Sequence, residues 1–128
     1  FQAMGYAPCA MCLWQRWPHA AAIGLGLLGA IFPFGLVAVA GAISAATSVG
    51  LGVFHTGIER AWWEGPATCN SASPAGLSPE ALLEQIMTAP LVRCDEVAWQ
   101  MLGLSMASWN ALASAGLAAL WIIALRQR

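Results

Sequence analysis

Between Arg16 and Glu59 the chain carries no charged side chain, and its apolar run is interrupted once, at Phe32-Pro33-Phe34-Gly35. Proline lacks an N–H donor and disfavours helical geometry in the residue before it, so the run divides there into two segments joined by a tight turn. Each holds roughly 20 residues, enough at ~1.5 Å per residue to cross a hydrocarbon core of ~30 Å. Spans are expected at about 13–32 and 36–58, forming an antiparallel hairpin. In the second, Gly41, Ala45, Ala46, Gly50 and Gly52 recur near four-residue spacing, the pattern that lets another backbone approach closely. A third span is expected at about 100–125, ending in Arg126-Gln127-Arg128. The composition agrees: 59% hydrophobic and 9% charged residues do not suit a soluble domain of 128 residues. Lysine is absent and five arginines nearly cancel six acids, so no basic surface points to nucleic acid. The reading is an all-α membrane helical bundle, a single membrane domain over residues 1–128. With no initiator methionine or basic leader at its start, the chain is expected to begin part-way through a longer protein.

Residues 59–99 form the one long aqueous segment. All six acids fall there, with Pro66, Pro74, Pro79 and Pro90. Inside it, Ser78 as N-cap, Pro79 at the first helical position and Pro90 beyond the end bracket a short helix. Its Leu82, Leu83, Ile86 and Met87 lie on one side, and Glu80, Glu84 and Gln85 largely on the other. Such a helix can rest on a membrane surface or pack on a small core of the loop itself. Trp14, Trp17, Trp62, Trp63 and Trp99 fall at the expected outer ends of spans, as an interfacial aromatic belt does. If the C-terminal arginines face the cytoplasm, three spans place all four cysteines on the opposite side.

Those cysteines carry the chemistry. Cys9 and Cys12 form a C-x-x-C pair, which can close a reducible ring, bind a soft metal or pass electrons as a dithiol. A helix is expected to begin near Cys12, where unsatisfied N–H groups favour a thiolate, and Arg16 lies four residues on, along the same face. Cys69 and Cys94 bracket much of the loop, and a disulfide between them would restrict the unfolded chain by ~3 to 4 kcal/mol in the loop-entropy model. Two pairs on one face make a two-stage thiol relay. Four thiolates could instead hold zinc, although an oxidising compartment and a flexible loop disfavour it, and no metal is assigned.

The run Pro8-Cys9-Ala10-Met11-Cys12-Leu13-Trp14-Gln15-Arg16, the Phe54-His55-Thr56-Gly57 end of the second span, the Cys69 and Cys94 loop and Leu102-Gly103-Leu104-Ser105-Met106 together resemble the bacterial disulfide bond formation protein B (DsbB) family. The resemblance implies a four-helix bundle in the inner membrane that takes electrons from a periplasmic thioredoxin-fold dithiol oxidase, DsbA-like, and gives them to ubiquinone or menaquinone in the membrane quinone pool. By matching position, Cys9 and Cys12 would be the quinone-proximal pair. Cys69 would form the mixed disulfide with the partner, and Cys94, once freed, would attack the C-x-x-C disulfide. Arg16 and His55 would lie beside the quinone. His19 matches no family role, and Asn110 reads as a helix-to-helix hydrogen-bonding group. The family has four spans and this chain three, so its first span is expected to be missing before Phe1. Two alternatives stand beside this reading: a membrane protein with structural disulfides only, and a vitamin K epoxide reductase-like enzyme, whose pairs would occur in the opposite order.

Overall fold

The computed structural model describes residues 8–32, 34–66, 69, 78–88 and 92–127. Five helices and one small hairpin follow one another: α1 (Ala10–Trp14), α2 (Arg16–Ile31), α3 (Gly35–Glu59), α4 (Pro79–Thr88), β1 (Gln100–Met101), β2 (Leu104–Ser105) and α5 (Met106–Arg126). Two of them, α3 and α5, are long and apolar enough to cross a membrane.

The first apolar segment is divided. Helix α1 starts at Ala10, earlier than the expected start near Cys12, because Cys9 is its N-cap and the Cys9 sulfur accepts the Cys12 backbone N–H at 3.2 Å. It stops at Trp14 for a local reason: Pro18 has no N–H to return to the Trp14 carbonyl, and its ring crowds that oxygen. The chain resumes as α2 after Gln15, a helix of 16 residues that ends at Phe32 in extended conformation (φ −122°, ψ 93°). Pro33, the residue expected to cause that break, lies outside the described residues. The stacked rings of Phe32 and Phe34, 6.3 Å apart, flank the turn into α3.

Helices α3 and α5 pack most closely. The buried stripe of α3 is Ala38, Gly41, Ala45, Ser48, Gly52 and His55, and it faces Ala107, Ala111 and Ser114 of α5. A Cβ on Gly52 would come within 3.0 Å of the Ala111 backbone nitrogen and 3.1 Å of the Ala107 carbonyl oxygen, so only glycine permits this approach. Gly41 lies against the Trp121 indole, 2.6 Å from where its Cβ would stand. Ala46 and Gly50, read as part of the same seam, face outward. Their exposure follows from the helical period, which puts positions 41, 45, 48 and 52 on one stripe and turns 46 and 50 away. The distribution is that of a membrane protein: Ser48 and Ser114 are wholly buried while Leu36 is 79% exposed. Small and polar groups occupy the interior, and large apolar ones line the outside, where lipid would solvate them.

Helix α3 closes with Ala61 in left-handed conformation (φ 56°); the N–H of Trp62 returns to the Gly57 carbonyl at 2.8 Å and that of Ala61 to the Ile58 carbonyl at 3.0 Å. Helix α4 starts as the sequence indicates, with the Ser78 hydroxyl accepting the Ala81 N–H at 3.3 Å. On its apolar side Leu82 is half-buried while Leu83, Ile86 and Met87 are exposed, so most of this face is uncovered among the described residues. The third segment is shorter as a helix than expected. Residues 100–105 form an antiparallel hairpin pairing Gln100 with Ser105 and Met101 with Leu104. Leu102 (φ 54°) and Gly103 (φ 76°) supply the two left-handed residues of its turn. Ser105 then caps α5 by accepting the Ser108 N–H.

Candidate active site at the cysteine end of the bundle

The start of α1, the end of α3, the start of α5 and the loop segment around Cys94 converge at one end of the molecule. Cys9, Met11, Ile58, Cys69 and Cys94 form a buried cluster there. Cys69 and Cys94 are joined as a disulfide, and the Cys94 N–H also bonds to the Cys69 carbonyl at 3.2 Å. Arg93 binds Asp95 across Cys94, its Nε donating to Oδ1 at 2.9 Å, and this guanidinium holds the Asp95 carboxyl below its usual range.

Cys9 and Cys12 are thiols whose sulfurs lie 2.7 Å apart. The Cys9 S–H donates to Cys12, and this is the largest reason that the Cys12 thiol is lowered to about 7; partial burial and Glu59 oppose it, and the Arg16 charge assists. The same shared proton, with burial, pushes the Cys9 thiol up. Of the two, Cys12 is therefore the one that is about half thiolate at neutral pH, and the better leaving group. Helix onset was expected to favour that thiolate, and the structure adds a larger cause, the neighbouring thiol.

The two pairs meet. Cys9 Sγ, a ring nitrogen of His55 and Cys94 Sγ all lie within 4.8 Å of one another. Three such atoms could face a soft metal, but the Cys94 sulfur is committed to a disulfide and offers no thiolate. His55 sits one turn before the end of α3, buried, with Nε2 3.8 Å from Cys9 Sγ and Nδ1 2.9 Å from the Gln15 side-chain nitrogen. Beside these groups opens a pocket of about 200 Å³ whose walls include Cys12, Arg16, His19, Trp99, Met106 and Asn110. Arg16 is exposed at the start of α2 and reaches the pocket wall.

A model of the family described as disulfide bond formation protein DsbB matches residues 1–124 of this chain. The chain belongs to the DsbB family. It is 37% identical over 117 residues to the disulfide bond formation protein B of Pasteurella multocida, covering 83% of this chain and 62% of that protein. To the protein of the same name from Dechloromonas aromatica it is 29% identical over 125 residues, 88% of this chain and 72% of the relative. An uncharacterized protein of Rickettsia prowazekii is 28% identical over 113 residues, 84% of this chain and 64% of its own length. The chain thus spans less than two thirds of the Pasteurella and Rickettsia relatives. No solved structure matches it significantly.

Within this DsbB-family fold, the six residues singled out by sequence are gathered at one end of the bundle. Sequence reading missed the polar groups behind them. Gln15 is buried beside His55, and Glu59 places Oε1 4.0 Å from His55 Nε2 with its side chain only 7% exposed. Signals for these existed: Gln15 and His19 share the i, i+4 face of the first segment, as His55 and Glu59 do at the end of the second.

Proposed function

We propose that this protein is a membrane thiol:quinone oxidoreductase that reoxidises a periplasmic, DsbA-like thioredoxin-fold dithiol through two cysteine pairs. The observation that carries the reading is the meeting of the loop disulfide with the C-x-x-C pair, with Cys9 and Cys94 in mutual reach. The exchanges balance as follows. A partner thiolate attacks Cys69, forming a mixed disulfide and releasing Cys94 as a thiolate. Cys94 attacks Cys9 of the Cys9–Cys12 disulfide, forming Cys9–Cys94 and releasing the Cys12 thiolate, which its low pKa suits to leaving. The second partner thiol displaces Cys69, which then attacks Cys94, restoring Cys69–Cys94 and leaving Cys9 and Cys12 as a dithiol. Cys69 is wholly buried, so the first exchange requires the loop to move aside.

A quinone supplies the acceptor for the two electrons and two protons that leave the dithiol as it closes. The pocket suits such a flat ring with two carbonyl acceptors: Trp99 and Met106 give apolar walls, and Arg16 and Asn110 carry donors. Arg16 would hold an oxygen on which negative charge develops, in a site with little water to screen it. In this reading residues at about 13–32 make a third span beside α3 and α5, with Cys12 at its outer edge, the membrane is the bacterial inner membrane, and both pairs face the periplasm. The exposed face of α4 rests on the lipid surface. Reduction of quinone by the protein in nanodiscs, fed with a reduced thioredoxin-fold dithiol, tests this. Turnover in the parent and its loss in both Cys9→Ser and Cys69→Ser are expected; turnover that survives either substitution overturns it.

A further inference from the structure

Behind the cysteines a line of buried and half-buried polar side chains runs along the bundle interior. Asn110 Nδ2 donates to Gln15 Oε1 at 2.7 Å, Gln15 Nε2 lies 2.9 Å from His55 Nδ1, and His19 Nε2 lies 2.7 Å from Asn110 Oδ1. Ser48 Oγ stands 3.1 Å from the same His19 nitrogen and accepts from Ser114 at 3.0 Å. Three helices contribute, with Gln15 at the α1–α2 junction, His19 on α2, Ser48 and His55 on α3, and Asn110 and Ser114 on α5.

The direction of the line is determined by its ends. At the other end Cys9 Sγ lies 3.8 Å from His55 Nε2 and has given its S–H to Cys12, so toward His55 the Cys9 sulfur can only accept. Gln15 occupies Nδ1, so the proton facing Cys94 and Cys9 sits on Nε2, and Nδ1 accepts from the Gln15 amide. That orientation turns Gln15 Oε1 toward Asn110 Nδ2 and Asn110 Oδ1 toward the His19 N–H. From His19 onward, every donor in the line then points toward the cysteines. Two amides interrupt it, and an amide does not hand on a proton without becoming an imidic acid, so the line transmits orientation and not protons.

We propose that Gln15, Asn110 and His19 are positioning residues that hold His55 as its Nε2–H tautomer, and that His55 thereby keeps Cys94 in register with Cys9. A ring N–H close to both sulfurs stabilises thiolate charge on Cys94 as it attacks Cys9. With the other tautomer, a lone pair would face the sulfurs, and the Cys94 thiolate would be repelled.

The chain has two histidines, so a ¹⁵N spectrum of the imidazole nitrogens in histidine-labelled protein in nanodiscs resolves both rings. In the parent, His55 is expected to show a protonated Nε2 and an unprotonated Nδ1. Asn110→Leu frees Gln15 to rotate, so a fraction of the Nδ1–H form should appear. Disulfide exchange between the two pairs should slow about five- to tenfold, the weight of one hydrogen bond. His19→Gln, which keeps an N–H donor for Asn110, should retain the parent's His55 spectrum. A parent His55 protonated on Nδ1 overturns the proposal without any variant, and so does Asn110→Leu with the parent's spectrum and exchange rate. The role given to Cys94 rests on the relay proposed above. The ring spectrum is read on the resting protein, so loss of quinone turnover and loss of the tautomer are separate failures.

Discussion

Replacing Cys9 by alanine removes the S–H that is the largest cause of the low Cys12 value and leaves Arg16 as the smaller favourable charge. Cys12 should then rise from about 7 toward its ordinary 9.0. At pH 7 the thiolate fraction falls from about one half to about 1%, a loss of roughly 50-fold. The more basic thiolate is intrinsically more nucleophilic, and a Brønsted slope of ~0.45 over two units returns about eightfold, so the net loss in rate is roughly sixfold. The midpoint is the cleaner observable. The sign is fixed by the direction of the shift: with the value depressed, the thiolate is present above about pH 7 and is lost as pH falls below it. Alkylation of Cys12 by iodoacetamide, followed by mass spectrometry in a Cys69→Ser/Cys94→Ser background after reduction, should level off above about pH 8 in that background. With Cys9→Ala added, it should keep rising to about pH 10. A midpoint near 9 before Cys9 is replaced, or one that Cys9→Ala does not move, refutes the shared-proton explanation.

Gly52→Ala should destabilise the α3–α5 contact by about 1 to 3 kcal/mol, because its Cβ meets the Ala111 Cβ and two backbone atoms of α5, none of which can turn aside; SDS denaturation followed by circular dichroism measures it. Ala61→Gly should stabilise the same protein by about 0.5 kcal/mol, since glycine relieves the left-handed strain at the α3 terminus at some entropic cost. In nanodiscs, cleavage by a Glu-specific protease at Glu80 and Glu84 should accelerate severalfold when Leu83 and Ile86 are both changed to Gln, because the exposed face of α4 loses its hold on lipid. Equal cleavage of the two proteins would remove the surface-helix reading.

The elements that sequence shows best are those whose cause is local and repeated. The uncharged run up to Glu59 marks the second apolar segment, and Ser78 with Pro79 marks the start of α4, because a span and a cap are written in neighbouring residues. The break at Gln15 was also written locally, in Pro18, but uniform hydropathy concealed it. The 100–105 hairpin was hidden in the same way: Leu102 is a poor residue for a left-handed turn, and the surrounding residues are as apolar as the span they precede. The seam on α3 shows how close spacings diverge, for Gly52 is buried against backbone and Gly50, two residues earlier, faces outward. At the site, four cysteines, an arginine and a histidine were legible as types in a pattern. Asn110 was legible as a helix-to-helix hydrogen-bonding group, which its bond to Gln15 bears out, whereas Gln15 and His19 were not, since their meaning lies in contacts between residues as far apart as 15 and 110.

The central claim is that electrons pass between the two pairs through Cys9 and Cys94. The most direct measurement is made on the Cys12→Ser/Cys69→Ser double variant, in which only those two cysteines remain. After mild oxidation in the membrane, peptide mapping by mass spectrometry should find Cys9 and Cys94 joined in one disulfide, as their proximity across His55 demands. Two free thiols, or disulfides only between separate molecules, would contradict the relay.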